Sequence, residues 1–215
     1  MDYQDFLINK KITHEKTGFE PLSMPDKLFP FQVDIVRWAC IKGRTSIFAD
    51  CGMGKTPMQL TWADNVVRHE DKPVLILAPL AVARQTKSEG DKFGIEVTLC
   101  ESDNDVKTGV NITNYEKLHR FDPSAFCGVV LDESSILKSF TGKTRNYIID
   151  GFEKTKYKLA CTATPAPNDF MELGNHSEFV GALTRSEMLS MFFINDTSNT
   201  GSWRLKGHAS NHFWR

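Results

Sequence analysis

An α/β domain, with a mostly parallel central sheet and helices on both faces, is what this sequence predicts, and three observations predict it. Short apolar runs rich in β-branched residues alternate with amphipathic stretches along most of the chain. An early run leads into a Gly-Lys-Thr turn, and a later one ends in two adjacent carboxylates. The composition fits: 215 residues, 40% hydrophobic and 25% charged, are ordinary globular usage and enough for one sizeable domain.

The elements follow in order. Residues 1–27 mix charges with isolated apolar residues and show no sustained period, as expected of an irregular arm. Residues 28–182 carry the α/β pattern, and residues 183–215 read as an extension. Helical spacing begins near Phe31, continues through Val33, Val36, Trp38, Ala39 and Ile41, and stops at Gly43. Strand-like runs are Thr45–Ala49, Val74–Ala78, Ile95–Leu99, Val110–Thr113, Gly128–Leu131 and Lys158–Thr162. Helical patterns fill 55–70, 80–92, 142–153 and 169–181. Such alternation means βαβ units and a sheet buried on both faces. After residue 183 come the apolar segment Met188–Ile194, a polar stretch Asn195–Ser202, and then Trp203, Phe213 and Trp214. The last of these read as an amphipathic element with no stop signal.

Charge and cysteine usage exclude several classes. Lys plus Arg number 26 against 27 Asp plus Glu, a formal net charge of -1, which argues against a histone-like or tail-driven nucleic-acid binder. Contact with a nucleic-acid backbone at a few points stays open. Five dispersed cysteines without a C-x-x-C pair read as reduced thiols, and Cys100, Cys127 and Cys161 lie in or beside apolar runs as core residues. No leader pattern opens the chain, and no run approaches the ~18 apolar residues a bilayer span needs. A cytoplasmic protein without a membrane partner is the expectation.

The strongest motif is Ala49-Asp50-Cys51-Gly52-Met53-Gly54-Lys55-Thr56, between a strand candidate and a helix candidate. Gly52 and Gly54 let the backbone around Met53 curl so that its N–H groups face a polyphosphate, and the following helix adds its positive end. Lys55 is placed to reach the β- and γ-phosphates and Thr56 to ligate Mg²⁺. The strict pattern asks for Gly where Ala49 stands. A second G-K-T, Gly142-Lys143-Thr144, has no strand before it and reads as a helix start capped by Thr141, with Lys138, Lys143 and Arg145 as a solvated face.

Val129-Val130-Leu131-Asp132-Glu133 supplies what an Mg²⁺-ATPase requires opposite such a loop. Asp132 holds the metal, and Glu133 orients and deprotonates the attacking water. Alone the pair is weak, since acids at strand ends also serve solubility. It gains weight 76 residues after Thr56 with three strand candidates between. Cys161-Thr162-Ala163-Thr164-Pro165 ends the last run, where small hydroxyls can contact a neighbouring carboxylate, and Asp169–Glu172 has capping-box spacing. The loops at 49–56, 78–80, 113–116, 132–133 and 162–165 each follow a strand candidate, so a parallel sheet gathers all five along one edge.

With these motifs the chain resembles the superfamily-2 helicases, and within them the Swi/Snf-like branch found in bacterial and phage helicases. The resemblance covers residues 28–181 and implies a RecA-like P-loop lobe using ATP and Mg²⁺. Ala49–Thr56 is similar to motif I, where Ala often stands in the first position. Asp132-Glu133-Ser134-Ser135 resembles motif II, with Ser-Ser where Ala-His or Ala-Asp is usual, a departure that bears on the link to motif III. Leu159–Asn168 resembles motif III, with Thr162 and Thr164 in the coupling positions. Leu28-Phe29-Pro30-Phe31-Gln32 looks like the upstream glutamine motif, which makes Gln32 an adenine contact. Ala78-Pro79-Leu80 and Thr113-Asn114-Tyr115-Glu116 resemble motifs Ia and Ib, which grip the DNA backbone through Pro79, Leu80, Thr113, Asn114 and Tyr115, with Arg84 on the same face.

The family motor has two RecA-like lobes. A second would take ~150 residues, whereas 34 follow Gly181, so a second lobe is an expected partner outside this chain. Two readings follow: the first lobe of an ATP-dependent DNA helicase or translocase, or a catalytically incomplete module that binds nucleotide, nucleic acid or a partner. A small-molecule P-loop kinase fits Glu133 and the T-A-T-P stretch less well. His208 and His212 lack further ligands nearby and read as part of a terminal segment. Cys51, beside a lysine and a helix start, is expected to be a reactive thiol.

Overall fold

The computed structural model describes residues 17–138, 142–195 and 203–213. In chain order the larger elements are α1 (Pro30–Lys42), β1 (Arg44–Phe48), α2 (Lys55–Glu70), β2 (Val74–Ala78), α3 (Ala83–Phe93), β3 (Val97–Leu99), β4 (Val110–Asn114) and β5 (Gly128–Asp132). Then follow α4 (Lys143–Gly151), β6 (Tyr157–Thr162), α5 (Leu173–Val180), α6 (Arg185–Phe192), β7 (Phe193–Asn195), β8 (Trp203–Leu205) and α7 (Ser210–Phe213). Short 3-10 turns at Tyr115–Arg120 and Ser134–Lys138 follow β4 and β5.

Six strands form one parallel sheet in the order β1-β6-β5-β2-β4-β3. Burial follows that order. Every residue of β2, β4, β5 and β6 is buried, while β1 and β3, at the two edges, are partly exposed. This is why the inner strands read as continuous apolar runs instead of alternating ones.

Side chains still alternate between faces. In β2, Val74, Ile76 and Ala78 join α1 and α2 in one core with Val36, Met58, Trp62 and Val66. Leu75 and Leu77 join the other, with Ile148 of α4, Phe152 and Phe179 of α5. The fold is thus a three-layer α/β sandwich, as the alternation predicts.

Part of the N-terminal arm is described from Thr17, and it is irregular up to Phe29. Asn65 of α2 pins it, with Oδ1 accepting from the Leu22 and Ser23 N–H groups at 2.6 and 2.9 Å. Its Nδ2 donates to the carbonyls of Ser23 and Thr61 at 2.7 and 2.8 Å, so all four bonds of this buried amide are made.

The boundaries that shift have local causes. The run Ile95–Leu99 becomes a strand only at Val97, because the Ile95 N–H donates to the Gly90 carbonyl (2.9 Å) and closes α3 around left-handed Gly94. The helix expected at 80–92 starts at Ala83, after a turn in which the Val82 N–H bonds the Pro79 carbonyl. The expected helix over 169–181 divides into a turn at Phe170–Glu172 and α5. There Asp169 caps the Met171 N–H, while Glu172 accepts from the Asn168 side chain at 2.7 Å, one residue earlier than a capping box requires.

Gly142 is the residue before α4, without a side-chain cap. Thr141 lies outside the described residues, as do 1–16, 196–202, Trp214 and the side chains of His208 and His212. The apolar segment Met188–Ile194 splits between α6 and β7, and β7 pairs antiparallel with β8. Met188, Leu189 and Phe193 form a small cluster of their own, with Met171, Trp203 and Phe213 against it. Among the described residues no helix is long and apolar enough to cross a membrane.

Candidate functional site

Because the six strands are parallel, the loops after β1, β2, β4, β5 and β6 open on a single rim. The Ala49 N–H still bonds the Thr162 carbonyl (3.2 Å), extending the β1–β6 ladder by one residue before the chain turns. The turn is closed by the Met53 N–H on the Asp50 carbonyl (3.3 Å), and Gly52 and Gly54 take φ of 81° and 74°. The conformation calls for glycine, and a Cβ on Gly54 would stand 2.2 Å from Gln32 Nε2, so that amide would also have to shift.

α2 then starts at Lys55, whose Nζ folds back to donate to the carbonyls of Ala49 (2.9 Å) and Asp50 (3.1 Å). Thr56 follows it, half-buried, in the first helical turn. Gln32 is 4% exposed and turned inward. Its Nε2 donates to the Met53 carbonyl (3.1 Å) and its Oε1 accepts from the Phe29 N–H (3.0 Å), tying α1 to the loop.

Across β6, the end of β5 presents Asp132 and Glu133. Asp132 is 8% exposed, and burial raises its carboxyl above the usual range, with the Glu133 charge adding to this. The Gln59 amide and the Lys55 ammonium oppose the shift, which places the turn lysine within electrostatic reach of the strand-end acid. Glu133 has φ of 58°, a left-handed conformation that costs a non-glycine residue ~1–3 kcal/mol. The Thr162 hydroxyl donates to Glu133 Oε1 at 2.6 Å, and the Thr164 N–H donates back to Thr162 Oγ1 at 3.0 Å. Thr162 therefore joins the acid pair directly, and Thr164 joins through its backbone.

The remaining rim residues divide by exposure. Tyr115 donates its hydroxyl to the Asp132 carbonyl (2.8 Å), and burial holds that phenol well above its ordinary pKa. Thr113 and Asn114 are only 2% and 5% exposed, and the Asn114 side chain caps the next turn by accepting from the Lys117 N–H. Leu80 and Arg84 are exposed. A hollow of about 380 Å³ runs from Pro79 and Leu80 past Tyr115 to Glu133, and one of about 300 Å³ lies between Leu80, Arg84, Thr113 and Lys117. A further hollow of about 500 Å³, between Arg44 and Lys158, opens at the other end of the strands and contains none of the expected residues.

Three neighbours, Lys117, Gln59 and His176, escape sequence reasoning. Lys117 lines the second hollow and pairs with Glu101. Gln59, fully buried, sits beside Asp132, and its spacing of four from Lys55 was a readable signal. Ser134 Oγ and His176 Nε2 are 3.0 Å apart, both buried, and no local pattern joins positions 42 residues apart. The Phe48 ring meets His176 edge-on at 5.3 Å, so His176 touches both the strand that feeds the glycine turn and the residue after Glu133. Burial lowers the His176 pKa to about 4, against a smaller opposing pull from Glu172 and Glu133.

No family model matches the chain. It is 31% identical over 176 residues to protein p41 of the Acyrthosiphon pisum secondary endosymbiont phage 1, covering 70% of this chain and 38% of that protein. Among solved structures it superposes on the SWI2/SNF2 ATPase core of Sulfolobus solfataricus in complex with dsDNA. That match has a TM-score of 0.68 and 23% identity, over 81% of this chain and 40% of that one. The UvsW helicase from bacteriophage T4 gives a TM-score of 0.60 and 16% identity, over 86% and 66%. The chain thus spans about two-fifths of the length of p41 and of the SWI2/SNF2 core.

Proposed function

From a chain with the superfamily-2, Swi/Snf-like helicase fold, we propose the ATP-binding first lobe of an ATP-dependent DNA helicase or translocase. One observation carries the reading: the Lys55 turn and the Asp132–Glu133 pair share a rim and meet at β6, where Thr162 bonds Ala49 through its carbonyl and Glu133 through its hydroxyl. The backbone of 52–54, the Lys55 ammonium and the positive end of α2 receive a triphosphate. Thr56 and Asp132 offer the hard oxygen donors that Mg²⁺ takes. An Mg²⁺ ion held by these two residues would supply charge neutralisation to the phosphates. Glu133, held by the Thr162 hydroxyl, accepts the proton of the attacking water. Gln32 senses the base side through its tie to Met53.

Leu80, Arg84 and Lys117, with the backbone of 113–115, form the surface offered to a DNA backbone. Contacts of this kind need few cations, in keeping with the net charge of -1. A second RecA-like lobe supplies the opposite wall of the site and an arginine finger, a group worth ~10³ to 10⁵ in rate in related phosphoryl transfer.

The test is titration of the chain with a fluorescent ATP analogue and Mg²⁺. Lys55→Ala is expected to abolish binding, and retained affinity in that variant removes the assignment. As second reading the chain is a catalytically incomplete module that binds nucleotide, nucleic acid or a partner with little turnover alone. Brisk DNA-stimulated hydrolysis by this chain without a second lobe removes that one.

A further inference from the structure

Gln59 follows Lys55 by one helical turn on α2 and is completely buried. Residues four apart share a helix face, and on this face the Gln59 side chain lies beside the Asp132 carboxylate. Yet neither its Nε2 nor its Oε1 has a hydrogen-bond partner within ordinary distance. Among the buried amides, Asn175 leaves only its Oδ1 without a partner, and two others are well satisfied. Asn65, on the same helix and just as buried, makes four hydrogen bonds. Asn111 on β4 accepts from the Lys107 N–H and donates to the carbonyls of Lys107 and Gly109.

An orphaned amide destabilises a fold, and an apolar side chain of the same size would serve the core better. Its place beside Asp132 offers the N–H a carboxylate within the chain and leaves the carbonyl oxygen for a partner that arrives from outside. The neighbouring groups limit what that partner is. Asp132 is a buried carboxylate, Lys55 is a cation within its electrostatic reach, and the rim above is open. Mg²⁺ binds through one or two carboxylates and keeps several waters, which need acceptors.

We propose that Gln59 is a positioning residue for the metal, its amide N–H steadying one Asp132 oxygen and its carbonyl oxygen accepting from water in the metal's shell. The inference rests on the nucleotide–metal reading of this rim and adds to it a residue that acts through Asp132. Groups that orient metal ligands in this way are worth about tenfold to a hundredfold in metal affinity.

Gln59→Met and Gln59→Leu keep the volume and remove the amide. Each is compared with the parent for binding of a fluorescent ADP analogue, once with Mn²⁺ and once in EDTA, and for thermal midpoint. The expected result is a metal-dependent gain in affinity that falls about tenfold or more in both variants, with metal-free affinity unchanged and the thermal midpoint equal or higher. An undiminished metal-dependent gain overturns the proposal. So does an equal loss in EDTA, which assigns Gln59 to the loop, or a lower midpoint in both variants, which assigns it to the fold. A parent chain that binds no analogue under either condition removes the nucleotide reading itself, a result distinct from the other three.

Discussion

Acid titration of His176 gives the sharpest test of how the rim is held. The imidazole is buried against Phe48 and bonded to Ser134, and its pKa falls from 6.5 to about 4 because burial opposes the charged form. Above pH 6.5 the folded and unfolded chains both carry a neutral ring, and the stability of the native packing is fully present. As pH falls below 6.5 the unfolded chain takes up a proton that the folded chain refuses, so stability is lost progressively until the folded-state pKa is reached. At 1.36 kcal/mol per unit, the difference between 6.5 and about 4 comes to ~3 kcal/mol. That is a large share of the ~5–15 kcal/mol that holds a typical domain together.

The measurement is urea unfolding followed by tryptophan fluorescence, from pH 7.5 to pH 4.5, for the parent and for His176→Gln. The glutamine keeps a polar group for Ser134 and does not titrate, while every carboxylate contributes equally to both proteins. The parent is expected to lose ~2–3 kcal/mol more than the variant across the range. Parallel stability curves would refute the reasoning, because the imidazole would then be as free to protonate in the folded chain as in the unfolded one.

Two other outcomes are expected. Gly54→Ala imposes φ of 74° on a residue with a Cβ 2.2 Å from Gln32 Nε2. It should cost ~1–3 kcal/mol and abolish binding of the ATP analogue, and unchanged calorimetric stability and affinity would contradict the described turn. Cys51 is exposed, whereas burial pushes the thiol of Cys40 up to about 12 and those of Cys100 and Cys127 to about 11, and Cys161 is fully buried. Mild alkylation at pH 7.5 should label Cys51 alone, as read by peptide mass spectrometry, and more slowly with Mg²⁺ and ATP present. Prompt labelling of a second cysteine would contradict it.

What the sequence made legible was whatever a single element encodes within itself. β2 and α2 stand where the apolar run Val74–Ala78 and the helical pattern 55–70 put them, since strong periodicity and the flanking Gly54 and Pro73 leave little freedom. Edges were blurred where a cap uses a backbone group that the run also claims, as at Ile95. The glycine turn and the acid pair could be found because each is contiguous, and their shared rim followed from parallel strands alone.

The braces around them could not be found in the same way. Thr162 on Glu133, Tyr115 on Asp132 and His176 on Ser134 are contacts between distant positions, and nothing in either partner's neighbourhood names the other. Thr113 and Asn114 show the converse. Their motif put them at the rim, but their side chains are buried there, because the turn after β4 uses Asn114 as its own cap.

β1 leaves the ribosome early and meets its strand neighbour late. At the sheet's margin it ladders with β6, Arg44 opposite Lys158, so 114 residues of chain must emerge before the pairing can begin. Contacts so remote in sequence form slowly and only after the intervening chain has been ordered. The glycine turn hangs from the far end of that strand. A nascent or truncated chain ending short of Tyr157 therefore has every residue of the turn and no frame to hold it, and the turn takes its shape late, as a property of the finished fold.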